Sequence, residues 1–316
     1  MQNILQVQKL SVYYKSVLGD YRVVEDASFE VRRNEIFGIA GESGCGKSTL
    51  VEGILRLVRP PGYIPNGKVM FENVDLLKLS EDELRDIRWK RLSYVPQGSM
   101  NSLNPVLRIE EQITDGVTAH LKIANDGVVE ALRSSLNNVG LPEEVARMYA
   151  HELSGGMKQR VVIAMATMLN PDLVVADEPV TALDVASSRI NLQTIAKLKQ
   201  KLNMAVIIVA HDMAVHAEIT DRIAIMYAGK IVEIGPTPEV FEDPLHPYTK
   251  GLLKAVLSIE KRQAESIPGL APSPLNWPSG CRFHPRCPYA MKTCEGIEPE
   301  LEEIEPGRFV ACHLYG

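Results

Sequence analysis

The sequence predicts an α/β fold built around a largely parallel sheet, and two observations carry this prediction. Several short apolar segments each lead into a helical pattern, which is typical of alternating strands and helices. The clearest strands span 36–40, 173–176 and 205–210. Their almost continuous hydrophobicity is what strands buried on both faces require.

Composition and charge narrow the class of protein. The chain has 316 residues, of which 45% are hydrophobic and 23% charged, with a formal net charge of −6; these values are ordinary for a soluble globular protein of about two domains. The most apolar run, 161–169, is about half as long as a membrane-spanning helix of roughly 20 residues. Because the N-terminal residues also lack a secretory signal pattern, we expect a cytosolic protein. The mild acidity argues against a nucleic-acid partner.

A glycine-rich loop follows the first predicted strand. Residues 41–48 match the P-loop pattern G-x-x-x-x-G-K-[ST] at every fixed position. Backbone N–H groups of such a loop, with the N-terminus of the next helix, surround phosphates. Lys47 is expected to reach the β- and γ-phosphates and Ser48 to bind Mg²⁺, so the predicted ligands are ATP and Mg²⁺. The expected ATP contacts are Gly41, Ser43, Gly44, Cys45, Gly46, Lys47, Ser48 and Thr49.

A second part of this site is predicted where the strand at 173–176 ends. Asp177 and Glu178 follow that strand directly. An Asp at a strand end binds Mg²⁺ directly or through water, and a neighbouring Glu polarises the attacking water. Two acids after a strand more often belong to a solvated loop, but a P-loop in the same chain favours the catalytic interpretation.

Four further motifs resemble those of the ATP-binding cassette (ABC) family. The sequence LSGGMKQR at 153–160 resembles the family signature, which other P-loop enzymes lack. Gln97, at the end of YVPQ, resembles the Q-loop glutamine, and His211, after IIVA, resembles the switch histidine. The sequence TALD at 181–184 resembles the D-loop. The motifs occur in the family's order.

This resemblance implies a P-loop ATPase domain with a mixed sheet and a helical subdomain. It implies catalytic roles for Glu178, His211 and Gln97, and a Mg²⁺ ion held by Ser48, Gln97 and Asp177. It also implies that Tyr14 stacks on adenine, with Tyr13 and Tyr21 as alternatives.

The resemblance further implies a head-to-tail dimer in which the signature of each subunit closes over the ATP of the other. The signature opens a helix, and its N–H groups and serine hydroxyl are suited to bind an anion. The residues implied in this contact are Ser154, Gly155, Gly156 and Gln159, with Asp184 in the D-loop.

Three regions are predicted along the chain. Residues 1–257 form the ATPase domain, and the strand signal within it gives way to helical patterns over about 80–155. One such pattern places Val128, Val129, Leu132, Leu136 and Val139 on one face, before Gly140. This segment is interpreted as a helical insertion that includes the Q-loop. Residues 258–316 are rich in proline and are predicted to form a loop-rich C-terminal extension.

Two segments and the tail resemble the ATPase subunits of dipeptide and oligopeptide importers. The segments are SLNPV at 102–106 and HPYT at 246–249. The resemblance implies ATP-driven import through two separate membrane-spanning permease subunits, with this chain at the cytoplasmic face of the membrane. It also implies a second, different ATPase subunit in a heterodimer and, indirectly, an extracytoplasmic solute-binding protein.

Other functions stay open at this point. The same machinery imports nickel or oligosaccharides in relatives of this group, and the ATPase does not contact the cargo. A soluble ABC ATPase acting on ribosomes or DNA is a further alternative. The single cassette and the short interval between Lys47 and Leu153, too short for a long coiled coil, disfavour it.

Four of the five cysteines lie in the tail: Cys281, Cys287, Cys294 and Cys312. In a reducing compartment such a cluster is more typical of a metal site than of disulfides. Their C-x5-C-x6-C-x17-C spacing lacks the tight pairs of structural zinc sites, and the resemblance implies a [4Fe–4S] cluster. Zinc and unmetallated cysteines are the alternatives, and His284 or His313 are candidate replacement ligands. Cys45 has no predicted metal or catalytic role.

Overall fold

The structure is a computed structural model that describes residues 2–120, 125–260 and 267–315. The strands are β1 (Asn3–Ser16), β2 (Gly19–Arg32), β3 (Ile36–Ala40), β4 (Gly62–Tyr63), β5 (Lys68–Phe71), β6 (Val74–Asp75), β7 (Leu92–Val95), β8 (Leu173–Asp177), β9 (Ala205–Val209), β10 (Arg222–Tyr227), β11 (Lys230–Pro236), β12 (Glu302–Glu305) and β13 (Arg308–Val310). The α-helices are α1 (Lys47–Ile54), α2 (Glu81–Ile87), α3 (Ile109–His120), α4 (Asn125–Asn138), α5 (Gly155–Thr167), α6 (Val185–Leu202), α7 (Met213–Ile219), α8 (Thr237–Glu242), α9 (Pro247–Glu260) and α10 (Lys292–Gly296).

The chain divides into two compact units. The P-loop unit comprises Leu5–Val31, Phe37–Leu77 and Val209–Gly316, and the helical unit comprises Met1–Ile4, Arg32–Ile36 and Lys78–Ile208. The three strands that the sequence predicts most clearly are confirmed as β3, β8 and β9. No helix in the described ranges is long and apolar enough to cross a membrane.

Two groups of strands build the P-loop unit. One has the order β2-β1-β5-β6, with the short β4 paired to β1. In the other, β10 lies between β3, to which it is parallel, and β11, to which it is antiparallel. The sheet is therefore mixed, as expected. Its strands β3 and β10 are buried along their whole length, which explains why β3, and β10 after Arg222, have apolar sequences.

The described part of the predicted extension, 267–315, lies in the same compact unit as the P-loop. Its strand β13 pairs with β11, through Val310 opposite Glu233, and β12 pairs with β13. The sequence pattern did not predict these strands, because they are only a few residues long and carry few apolar side chains. Phe283 and the partly buried Trp277 of the same region pack on a core of side chains from β10, β11 and α9.

The helical unit contains β8 flanked by β7 and β9. The predicted amphipathic helix is confirmed as α4, with Val128, Leu132 and Leu136 buried, and Gly140 follows it with a φ of +69°. The predicted insertion at 80–155 also contains β7, which pairs in parallel with β8. That strand was missed because it is short and because its buried Ser93 breaks the apolar run.

Two histidines are fully buried in the P-loop unit. The Nε2 atom of His216 lies 3.2 Å from the Ala210 carbonyl oxygen, so this nitrogen carries the proton. The ring packs against β3 so closely that a Cβ at Gly38 would lie 2.5 Å from Nδ1. His246 accepts the N–H of Tyr248 at Nδ1, 3.0 Å away. Burial lowers the pKa of His216 to about 4 and that of His246 to about 3.

These two shifts predict acid destabilisation. The unfolded chain, with histidine pKa near 6.5, binds protons that the folded chain does not, so the unfolding free energy falls as the pH drops below about 6.5. Between pH 7.5 and pH 5, each histidine removes about 2 kcal/mol. We expect His216→Gln and His246→Asn, which retain the hydrogen-bonding atoms, each to flatten this dependence in urea titrations. His151→Gln, at an exposed site, is the control, and equal pH slopes in all variants would contradict the prediction.

Candidate active site

The P-loop begins where β3 ends, and two of its glycines are fixed by close backbone contacts. A Cβ at Gly41 would lie 2.1 Å from the Met226 carbonyl oxygen, and one at Gly46 would lie 2.7 Å from that of Val23. Gly46, the N-cap of α1, has a φ of +107°, a backbone conformation that glycine adopts without strain. These close contacts explain why the pattern has glycine at positions 41 and 46.

The lysine of the loop is held inside it. The Lys47 side chain donates from Nζ to the carbonyl oxygens of Gly41 (2.8 Å) and Glu42 (2.9 Å), and the residue is only 6% exposed. Cys45 is also buried, and burial raises the pKa of its thiol. Ser43 and Gly44 are exposed, while Ser48 and Thr49 are partly buried at the start of α1.

Tyr14 lies beside the P-loop helix. Burial raises the pKa of its hydroxyl, and a hydrogen bond with Thr49 of α1 lowers it. Tyr13 instead contacts Tyr63 edge to face, with ring centroids 6.0 Å apart. Tyr14, the tyrosine predicted to stack on adenine, is therefore near α1. His211 follows β9 and is exposed.

In the helical unit, the two predicted acids occupy different environments. Asp177, the last residue of β8, is 1% exposed. Glu178 is partly buried, with a φ of +50°, an uncommon conformation for a non-glycine residue and one that is frequent at functional sites. Its Oε2 accepts hydrogen bonds from Gln97 Nε2 (3.0 Å) and Thr181 Oγ1 (2.9 Å). The predicted Q-loop glutamine and catalytic glutamate are thus in direct contact.

The signature residues form the start of α5. Ser154 is the N-cap, and its hydroxyl accepts the Met157 N–H at 3.3 Å. Gly155 and Gly156 are the first two residues of the helix, so unpaired N–H groups of the first turn lie there. Gln159 is 3% exposed and accepts a hydrogen bond from Ser99 Oγ at 3.1 Å. Its side chain therefore packs inside the helical unit.

Asp184 of the D-loop caps α6. Its carboxylate accepts the N–H of Ser187 at 2.9 Å and the hydroxyl of Ser187 at 2.7 Å. These hydrogen bonds lower the pKa of Asp184. The aspartate of the motif consequently fixes the start of α6.

Two residues that touch the P-loop were missed from the sequence: Tyr248 and Arg286. The Tyr248 hydroxyl accepts the N–H of Glu42 at 2.9 Å. Arg286 donates two hydrogen bonds to the Glu42 carboxylate, at 3.1 and 3.2 Å. The HPYT motif and an Arg-Cys pair in the tail were the only sequence signals for them, and neither indicates a contact with the P-loop.

The tail cysteines share one pocket. Cys281, Cys287, Cys294 and Cys312 all line it, and none forms a disulfide. Burial, and then the charges of the neighbouring thiols, raise the pKa of Cys281 to about 11. Within the described ranges, however, no group of three or more His, Cys, Asp or Glu side chains is arranged to hold a metal ion. The expected [4Fe–4S] cluster is therefore not confirmed.

A P-loop after a buried strand, a carboxylate hydrogen-bonded to a glutamine and a glycine-rich helix start are each features of nucleoside triphosphatase cassettes. The ABC transporter family profile matches residues 24–181, and the profile of the oligopeptide/dipeptide transporter C-terminal region matches residues 232–294. The dipeptide transport ATP-binding protein DppD of Caldanaerobacter subterraneus is 41% identical, over 100% of this chain and 98% of its own. The oligopeptide transport ATP-binding protein OppD of Escherichia coli is 41% identical, over 98% of this chain and 92% of its own.

Solved structures agree with these sequence matches. A dimeric bacterial ABC transporter cassette superposes with a TM-score of 0.66 at 27% identity, over 74% of this chain and 98% of that one. The post-hydrolysis state of a dimeric cassette, bound to ADP and phosphate, gives a TM-score of 0.63 at 27% identity over the same shares. The chain therefore belongs to the ABC transporter family and, within it, to the ATP-binding subunits of the dipeptide/oligopeptide group.

Proposed function

We propose that the chain hydrolyses ATP to drive the import of di- or oligopeptides through separate membrane-spanning subunits. The observation that carries this proposal is the match over the whole chain, including the C-terminal region, to relatives named as dipeptide and oligopeptide transport ATP-binding proteins. The relatives are named as transport ATP-binding proteins, so the proposed place of the chain is at the cytoplasmic membrane face, bound to those subunits.

The proposed chemistry assigns a role to each motif. The P-loop N–H groups and Lys47 bind the phosphates of ATP, and Tyr14 stacks on the adenine. Glu178 orients the attacking water and takes its proton, and Gln97, which donates to the Glu178 carboxylate, fixes that carboxylate. His211 is a hydrogen-bond donor for the γ-phosphate.

Magnesium is the cation proposed for ATP hydrolysis by this chain. Its proposed ligands are Ser48, Gln97 and Asp177. Mg²⁺ prefers hard oxygen donors of this kind. When bound, the ion neutralises charge on the β- and γ-phosphates. The near-complete burial of the Asp177 carboxylate supports the assignment, since a buried charge requires a cation or hydrogen-bond donors nearby.

ATP is proposed to lie between two ATPase subunits arranged head to tail. The helix start at Ser154, Gly155 and Gly156 is suited to bind the γ-phosphate of the other subunit's ATP, because its N–H groups and helix dipole favour an anion. The second subunit is proposed to be a different chain. Gln159 contributes by holding Ser99 against α5, and Asp184 by capping α6.

The cargo is the part of this proposal that a transport assay tests. This chain is reconstituted in proteoliposomes with candidate partners from the same organism: two membrane subunits, a second ATPase subunit and a solute-binding protein. We expect ATP hydrolysis to rise when the binding protein is loaded with a dipeptide, and not when nickel or a maltooligosaccharide is offered. Stimulation by nickel or by the sugar alone would overturn the peptide assignment and leave the ATPase assignment intact.

We also propose that the tail cysteines bind a [4Fe–4S] cluster. The support is that four thiol side chains line one pocket and influence one another's pKa, and thiolates are the ligands of such clusters. The cluster would fix the tail. Iron analysis and visible absorbance of the anaerobically purified chain test this, and iron-free protein with four titratable tail thiols would refute it.

A further inference from the structure

Glu42, the second residue of the P-loop, is held at each of its polar groups. Its carbonyl oxygen accepts from Lys47 Nζ, its N–H donates to the Tyr248 hydroxyl, and its carboxylate accepts from Arg286. The P-loop pattern leaves this position unrestricted, so the pattern itself gives no reason for these contacts. Two of the three partners lie beyond residue 245.

Arg286 is immobilised before it reaches the loop. Besides the two bonds to Glu42, its Nε donates to the Pro268 carbonyl oxygen at 2.9 Å and its Nη2 to that of Ile267 at 3.3 Å. Its side chain is only 7% exposed. A bidentate guanidinium–carboxylate pair has a fixed geometry, and its hydrogen bonds are stronger than neutral ones. Arg286 therefore sets where the Glu42 side chain lies.

Tyr248 is immobilised as well. The ring is fully buried, with its centroid 4.6 Å from that of Tyr227 and 5.6 Å from that of Phe283. The Tyr248 backbone N–H donates to the ring Nδ1 of His246. The His246 backbone N–H in turn donates to the buried Glu233 carboxylate at 2.9 Å. The Glu42 N–H thus points at a rigid acceptor on α9, rather than into the loop.

The charge of the Glu42 carboxylate matters for the binding of a triphosphate. A free carboxylate inside a phosphate-binding loop repels the triphosphate, and the repulsion is strong where the surroundings are partly buried. The positive charge of the Arg286 guanidinium compensates the negative charge of the Glu42 carboxylate. Losing Arg286 should therefore be worse for nucleotide binding than losing both charges together.

We propose that Arg286 is a positioning residue of the nucleotide site, which neutralises and fixes Glu42 so that the P-loop accepts phosphates, with Tyr248 fixing the backbone of the same residue. This proposal rests on ATP being the ligand of the P-loop. It makes the C-terminal extension a part of the nucleotide site and gives the tyrosine of the HPYT motif a role in nucleotide binding.

The test is a double-mutant cycle on the full chain, with Kd for MgADP and for a non-hydrolysable MgATP analogue measured by calorimetry. We expect Arg286→Ala to raise Kd about tenfold, which corresponds to about 1.4 kcal/mol. Glu42→Gln should change it by less than about threefold, and the double variant Glu42→Gln, Arg286→Ala should bind better than Arg286→Ala alone.

Two conservative variants extend the test. Arg286→Lys should be intermediate, because it restores the charge without the bidentate geometry. Tyr248→Phe should weaken binding several-fold, since the Glu42 N–H loses its acceptor.

Arg282→Ala is the matched control, because Arg282 is an equally buried tail arginine that pairs with Glu25 of β2 and not with a P-loop residue. It should leave Kd unchanged even if it lowers thermal stability.

Wild-type Kd in folded Arg286→Ala, or a double variant as weak as Arg286→Ala, would overturn the proposal. If Arg286→Ala does not fold, the cycle is made from Arg286→Lys and Glu42→Gln instead. Wild-type Kd in folded Arg286→Lys would then overturn the proposal. A wild-type chain that binds no nucleotide would instead refute the proposed function and this inference with it.

Discussion

Glu178→Gln is expected to bind MgATP with wild-type affinity and to lower the rate of hydrolysis by about 100- to 1,000-fold, the contribution typical of a general base. The structure makes this an almost isosteric change. The Glu178 oxygen that accepts from Gln97 and Thr181 can be replaced by the amide oxygen of glutamine, so the local hydrogen bonds persist. What is lost is the group that takes a proton from the attacking water.

The measurement is phosphate release under saturating MgATP, together with nucleotide affinity. Glu144→Gln removes an exposed acid of the same unit and should hydrolyse ATP at the wild-type rate. Hydrolysis by Glu178→Gln at the wild-type rate would show that another residue is the base and would remove Glu178 from the catalytic assignment.

Lys47→Ala is expected to weaken nucleotide binding by about 100-fold, because a charge-assisted contact to the phosphates is lost from a buried position. Lys47 also donates to the carbonyl oxygens of Gly41 and Glu42, so part of the effect is a less rigid loop. Lys47→Arg should not restore affinity, since the planar guanidinium does not fit where a compact ammonium lies between two carbonyls.

Thermal melting separates these two contributions. The melting temperature without nucleotide reports the loss of the loop's own hydrogen bonds, and the additional stabilisation by MgADP reports phosphate binding. Lys68→Ala, at an exposed lysine of the same unit, is the control. Lys47→Ala with wild-type stabilisation by MgADP would contradict the role of Lys47.

Features whose signals are local along the chain were predictable from the sequence. The strands β3, β8 and β9 follow from continuous apolar runs, and α4 follows from the spacing of Val128, Leu132 and Leu136. The P-loop and the acids after β8 follow from short motifs in the right context. Short elements such as β7, β12 and β13 were missed, since a few residues carry too little periodicity and pair with strands far away in the sequence.

The environment of Glu42 shows the limit of such reasoning in the site. Its contacts with Tyr248 and Arg286 span 206 and 244 residues. Glutamate at an unrestricted motif position, a tyrosine in a helix start and an arginine before a cysteine each have several ordinary interpretations. Only the packing of Tyr227, Tyr248 and Phe283 brings them to one loop.

Closure of two ATPase subunits over ATP is the step through which the P-loop, Glu178 and the signature would act together. Size-exclusion chromatography with light scattering, on Glu178→Gln with and without a candidate second ATPase subunit from the same organism, measures that closure directly. We predict a dimer in MgATP and monomers in MgADP, with the dimer lost when Lys47→Ala is added. Monomers in MgATP under both conditions, from protein that binds ATP, would contradict the proposed mechanism.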